Sequence, residues 1–172
     1  KIVSADLDKI IDNAIFSREV VKKLMFFALE MPQEMKLINL VPRIKNALAL
    51  LDASFKKAGV TYHVKIEEDE LWLKADNIQL TQIIFNLVIN AIYFSPENGL
   101  VTIEAFQSKN YIVLKIIDEG PGLTKEALEK VFQPFFTTKP TGDGSGLGLS
   151  VVHGIVASHK GTIVVENNSK NG

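Results

Sequence analysis

No cysteine occurs among the 172 residues of this chain. Disulfides, thiolate zinc sites and cysteine nucleophiles are therefore excluded, and the composition is compatible with a reducing compartment. Charge of one sign is lacking too: the formal net charge is −1, so no basic footprint argues for nucleic acid. No uninterrupted apolar run approaches the ~18–20 residues of a membrane span. No secretory signal is visible. No initiator Met stands at Lys1, and the chain is expected to be a piece of a longer protein. What is present is ordinary for a globular domain, with 47% hydrophobic and 23% charged residues.

The most informative stretch is F132QPFFTTKPTGDGSGLGL149. Gly142, Gly144, Gly146 and Gly148 fall directly before the apolar run Leu147 to Val156. Glycine lets a ligand touch the backbone, and a helix start offers unpaired N–H groups at the positive end of its dipole. Together they suit an anion, most often phosphate. The loop is not a Walker A motif, because no Gly-Lys-Ser/Thr follows. It fails the dinucleotide fingerprint, whose third glycine position holds Leu149. The kinase glycine loop fails as well, and no H-R-D occurs.

Along the chain, residues 3–31 read as one long helix with a 4-3 seam of Val3, Leu7, Ile10, Ala14, Ser17, Val21, Leu24 and Ala28. Met31-Pro32 ends it. The pattern then predicts a helix over 41–57 stopped by Gly59, strands over 60–67 and 71–74, and an apolar helix over 78–94 capped by Asp76. A hairpin is expected from strands 101–107 and 111–118, then a short helix over 125–132. The glycine loop should open a helix to Ser158, capped by Gly161, and Thr162 to Glu166 reads as a last strand. This order suggests an α+β sandwich: a mixed sheet with helices on one face.

Two polar features stand out. Asn86 and Asn90 share one face of an otherwise apolar helix. They either bond backbone elsewhere or meet a ligand, and an Asn carbonyl oxygen is a hard ligand suited to Mg²⁺. Asp118-Glu119-Gly120-Pro121-Gly122 follows a strand. By itself it is a turn; its carboxylate could also accept a hydrogen bond from an exocyclic amine such as that of adenine.

Taken in order, N86LVINA91, D118EGPGL123, F132QPFF136 and G144SGLGL149 resemble the four ATP-site boxes of the GHKL superfamily. In spacing they resemble the catalytic and ATP-binding domain of bacterial sensor histidine kinases, over roughly residues 37–168; PFFTTK is similar to the subgroup of nitrogen-regulation sensors. The resemblance implies a GHKL-type α/β sandwich at 37–172, preceded at 1–31 by part of a dimerisation hairpin. It implies ATP and Mg²⁺ as cofactors, with Asn90 as the metal ligand and Asn86 beside the phosphates. Asp118 would bond the adenine amine, with Gly120, Gly122 and Leu123 lining that pocket. Gly144, Ser145, Gly146, Leu147, Gly148 and Leu149 would hold the phosphates, and Thr162 would assist adenine through water. Phe132, Phe135 and Phe136 would anchor a mobile lid over about 133–145, from which Lys139 would reach the γ-phosphate.

One departure concerns position 93, where the family often has a basic residue and this chain has Tyr93, itself able to donate a hydrogen bond. A second decides the reaction class. The related ATPases carry a general-base Glu four residues before the metal Asn, where this chain has Asn86. An amide takes no proton from water, so transfer to a histidine is expected over hydrolysis. His63, His153 and His159 lack the acidic residue that follows a phosphoacceptor histidine and read as structural or solvated. The expected partners are the chain's own dimerisation hairpin with its acceptor histidine, a response-regulator receiver domain and a second copy in the parent homodimer, in a two-component system. The expected location is cytoplasmic, with a possible membrane anchor of the parent protein outside this chain. The competing readings are a catalytically degenerate nucleotide-binding or dimerisation module and a GHKL-type ATPase.

Overall fold

A computed structural model describes residues 34–140 and 143–168; the helix expected over 3–31 lies outside them. The elements in order are β1 (Met35–Asn39), α1 (Leu40–Ala58), β2 (Thr61–Ile66), β3 (Trp72–Asp76), α2 (Asn77–Phe94), β4 (Leu100–Ser108), β5 (Tyr111–Ile117), α3 (Lys125–Lys130) and α4 (Gly148–Ser158).

Helix α1 is written into its own residues. Asn39 accepts the Val41 N–H at its start, and Gly59, at φ 66°, bonds the Lys56 and Phe55 carbonyls at its end. Leu40, Ile44, Ala47, Leu48, Leu51 and Phe55 recur at helical spacing and are buried. Helix α2 starts at Asp76, whose Oδ1 accepts from Ile78 N at 2.9 Å and Gln79 N at 3.0 Å.

The architecture is α+β. Strand β4 sits at the centre of a mixed sheet, parallel to β2 and antiparallel to β5. Alternate residues Val101, Ile103 and Ala105 of β4 are buried in one core with Ile44, Leu48 and Phe55 of α1 and Ile84 and Val88 of α2. Strands β1 and β3 form a separate antiparallel pair. Helix α2 touches both α1 and α4, and this placement brings the glycine-rich segment onto its polar stripe.

By length and composition α2 could cross a membrane. Its Leu80, Ile84, Val88, Ala91 and Ile92 instead enter the domain core, and Gln82, Asn86 and Asn90 interrupt the apolar run.

Three expectations need correction. Strand β1 is absent from the sequence reading: five residues carry too little periodicity, and pairing with β3 defines them. No strand forms over Thr162 to Glu166. The β-branched pattern there reports a local preference only, and the segment is fastened by side-chain amides beyond it rather than by a ladder. The cap of α4 is shifted by one residue. Lys160 takes the left-handed conformation (φ 58°), and Gly161 donates to the Val156 carbonyl at 2.9 Å.

Asp76 ties several elements together. Besides capping α2 it accepts the Glu34 N–H at 2.9 Å, and its own N–H donates to His159 Nε2 at 3.0 Å. Burial would raise its carboxyl pKa, but the N–H groups of Gln79, Glu34 and Ile78, aided by His159, outweigh burial and hold it below the ordinary value. A depressed folded value stabilises above the unfolded pKa of about 3.9 and loses that stabilisation as pH falls through the folded value. Asp76→Ala should therefore cost about 1–2 kcal/mol at neutral pH. In urea unfolding the gap between variant and wild type should narrow below about pH 4, where the unfolded carboxyl protonates.

Candidate functional site

Helix α2 is the spine of the site. Asn86 and Asn90 sit on successive turns, half-buried, facing the start of α4. A Cβ placed on Gly148 would lie 3.6 Å from Asn86 Oδ1 and 3.8 Å from Asn90 Nδ2. The backbone at the head of α4 thus meets both amides. That head has no side-chain cap, whereas α1, α2 and α3 are each capped by Asn39, Asp76 and Thr124. An uncapped helix start leaves N–H donors for a ligand.

The loop before α4 folds against the same place. Lys139 Nζ donates to Asn90 Oδ1 at 3.2 Å and lies 3.9 Å from the centroid of the Tyr93 ring. The Tyr93 hydroxyl donates to Asp143 Oδ2 at 3.2 Å. Burial, then this bond and the charge of Asp143, push the Tyr93 phenol above its ordinary value. Gly144 packs on Lys139 and Thr137, where a Cβ would fall 2.9 Å from Lys139 Cδ. Gly146 is at φ 65° and lies against the backbone of Phe135, itself at φ 67°. Leu147 is buried; Ser145 and Leu149 are half-buried beside it.

The third group stands one turn further along α2. Gly120 is buried against the Phe94 carbonyl, and its N–H donates to Asp118 Oδ1 at 2.8 Å. Phe94, Pro96, Glu119, Gly120 and Pro121 line an open depression of about 380 Å³ there. From Asn86 to Phe94 the rise along the helix is about 12 Å. The amides, the carboxylate turn and the glycine backbone therefore share one side of the domain.

Other expected residues are less directly placed. Gly122 and Leu123 lie in the turn after Asp118 and are half-buried. Phe132 is half-buried, its ring 5.0 Å from that of exposed His153, while Phe135 is 58% exposed and so does not anchor through burial. Thr162 is exposed, and no hydrogen bond joins it to Asp118 among the described residues.

Two residues absent from the sequence reading hold the carboxylate turn. Asn168 Nδ2 donates to the Asp118 carbonyl at 3.0 Å. Asn167 makes a reciprocal pair with Leu123, accepting its N–H at 2.9 Å and donating to its carbonyl at 2.8 Å. An Asn-Asn pair after a β-branched run was the available signal, but nothing local says what it meets.

The donor set suits a magnesium nucleotide. Asn90 Oδ1 is a hard amide oxygen that already accepts from a cation, and nearby backbone N–H groups suit phosphate.

Residues 75–172, more than half the chain, match the family described as histidine kinase-, DNA gyrase B-, and HSP90-like ATPase. Sporulation kinase A of Bacillus subtilis strain 168 is 32% identical over 135 residues, 78% of this chain and 22% of that protein. Sensor kinase CckA of Brucella abortus strain 2308 is 31% identical over 182 aligned residues, 94% of this chain and 19% of that one. The chain thus spans about a fifth of the length of these curated relatives. Among solved structures, the nucleotide-free catalytic domain of histidine kinase ThkA superposes with a TM-score of 0.72 at 30% identity, covering 80% of this chain and 89% of that one. ThkA in complex with response regulator protein TrrA gives 0.76 at 27% identity, covering 98% and 46%. The chain belongs to the histidine kinase-, gyrase B- and HSP90-like (GHKL) ATPase family and has the catalytic-domain fold of sensor histidine kinases.

Proposed function

We propose that this domain takes up Mg-ATP along the α2 face and passes the γ-phosphoryl group to a histidine on a dimerisation helix, in two-component signalling. The observation that carries the reading is the meeting of Asn86, Asn90 and the uncapped head of α4, with the Asp118–Gly120 turn one helical turn away. Asp118 holds the adenine amine, and buried Gly120 leaves room for the ring beside Phe94. Asn90 would hold a magnesium ion through its amide oxygen, and the ion would neutralise phosphate charge. The N–H groups of Gly148 and its neighbours receive the phosphate oxygens without reorganising. Lys139 adds a cation at the same end.

Asn86, at the position where the related ATPases carry their general-base Glu, is an amide, so catalysis is positioning and charge neutralisation, favouring transfer over hydrolysis. The reading extends to residues 1–31 as the second helix of the dimerisation hairpin, to residues 37–172 as the catalytic domain, and to a homodimeric cytoplasmic parent. The response-regulator partner is supported by the similarity to ThkA, whose solved complex contains one.

Asn90→Asp tests the reading. A carboxylate there would pair with Lys139 and repel phosphate, so transfer to an added acceptor hairpin should fall at least about 100-fold. Transfer at the wild-type rate, followed with radiolabelled ATP, would overturn it.

A further inference from the structure

Position 93 lacks the basic side chain that the resemblance assigns to it, yet the structure brings a cation to the same place from another element. Lys139, in the loop after α3, sets its ammonium 3.9 Å from the Tyr93 ring centroid and 5.3 Å from that of Phe94. The same ammonium donates to Asn90 Oδ1 at 3.2 Å. Tyr93 lies three residues after Asn90, so ring and amide project from one face of α2. The two rings meet edge-on, with centroids 5.0 Å apart, which fixes the tilt of the platform. The Tyr93 hydroxyl reaches across to Asp143, beyond the loop that carries Lys139.

A tyrosine face attracts an ammonium ion, and lysine recognises phosphate as a point charge. We propose that Tyr93 is a positioning residue whose ring seats the Lys139 ammonium beside Asn90, so that a cation from the loop replaces the basic residue missing from α2. The proposal rests on the Mg-ATP reading and deepens it. It assigns the electrostatic work to Lys139 and the steering to the aromatic face rather than to the phenol. A cation bonded to Asn90, the residue assigned to the metal and its phosphates, favours triphosphate over diphosphate.

The test uses the full chain with Tyr93→Leu, Tyr93→Phe, Lys139→Met and the Tyr93→Leu/Lys139→Met pair. Calorimetry should show Tyr93→Leu weakening MgATP about fivefold and MgADP by less than about twofold. Tyr93→Phe should stay within about twofold of wild type, because the ring remains. In the Lys139→Met background, Tyr93→Leu should change nothing further. Without nucleotide, NMR should find the Lys139 ε-methylene protons shifted upfield by the ring in wild type and Tyr93→Phe, and unshifted in Tyr93→Leu. An equal loss for Tyr93→Leu with and without Lys139, or an ε-methylene shift indifferent to Tyr93→Leu, would overturn the proposal. Failure of the wild-type chain to bind MgATP would instead sink the nucleotide reading, and the NMR comparison would still decide whether the ring seats the lysine.

Discussion

Gly146→Ala should reduce MgATP affinity by about 100-fold or more, with little change in the thermal unfolding of the core. A Cβ on Gly146 would stand 2.3 Å from the Phe135 carbonyl carbon and 2.5 Å from its oxygen. Both are backbone atoms, so no side chain can swing aside. The φ of 65° adds roughly 1–2 kcal/mol of left-handed strain for any residue with a Cβ. Phe135 is itself at φ 67° and offers no slack. The loop has to move, and the head of α4 moves with it. A displacement of about 1 Å in a positioning element costs about 100-fold in rate, and a loss of the same order is expected in binding when the α4 N–H groups are carried off the phosphate oxygens. Gly148→Ala is the structural control: its Cβ would meet Asn86 Oδ1 at an ordinary 3.6 Å, so the nucleotide-free fold should be unchanged by circular dichroism. Affinity of Gly146→Ala within about threefold of wild type by calorimetry would show that the Phe135 contact does not set the site.

Asp118→Asn should weaken ATP by about 100-fold and erase its preference over GTP. The substitution is nearly isosteric. Asn retains an oxygen for the Gly120 N–H, now accepted at 2.8 Å, and the backbone carbonyl stays bonded to Asn168. The turn therefore persists, and what changes is the second oxygen, which becomes an NH₂ donor. Facing an exocyclic amine, donor would meet donor, and a charge-assisted bond would be lost. Competition of ATP and GTP against a fluorescent nucleotide reads both effects. An ATP preference surviving in the variant would remove Asp118 from base recognition.

Much of the site was legible before any coordinates, because each part is written in near neighbours. Asn86 and Asn90 share a face through the 3.6-residue period, and the glycines lie directly before the helix they open. What failed was of another kind. Thr162 to Glu166 has a strand's composition without a strand's partners. Phe135 was expected to anchor and is instead an exposed residue in a strained backbone conformation.

Local order alone determined where α1, α2 and α4 run and which polar groups they display, since helical period and capping act within a few residues. The tertiary structure decided the rest. It clipped the Asp118 turn with Asn167 and Asn168, seated His159 on the Asp76 N–H, and laid Lys139 over Tyr93 against Asn90. Those contacts join residues 44 to 83 positions apart. No period along the chain encodes them; they exist because α2, the sheet and α4 bury one shared apolar core and so bring distant polar groups within reach.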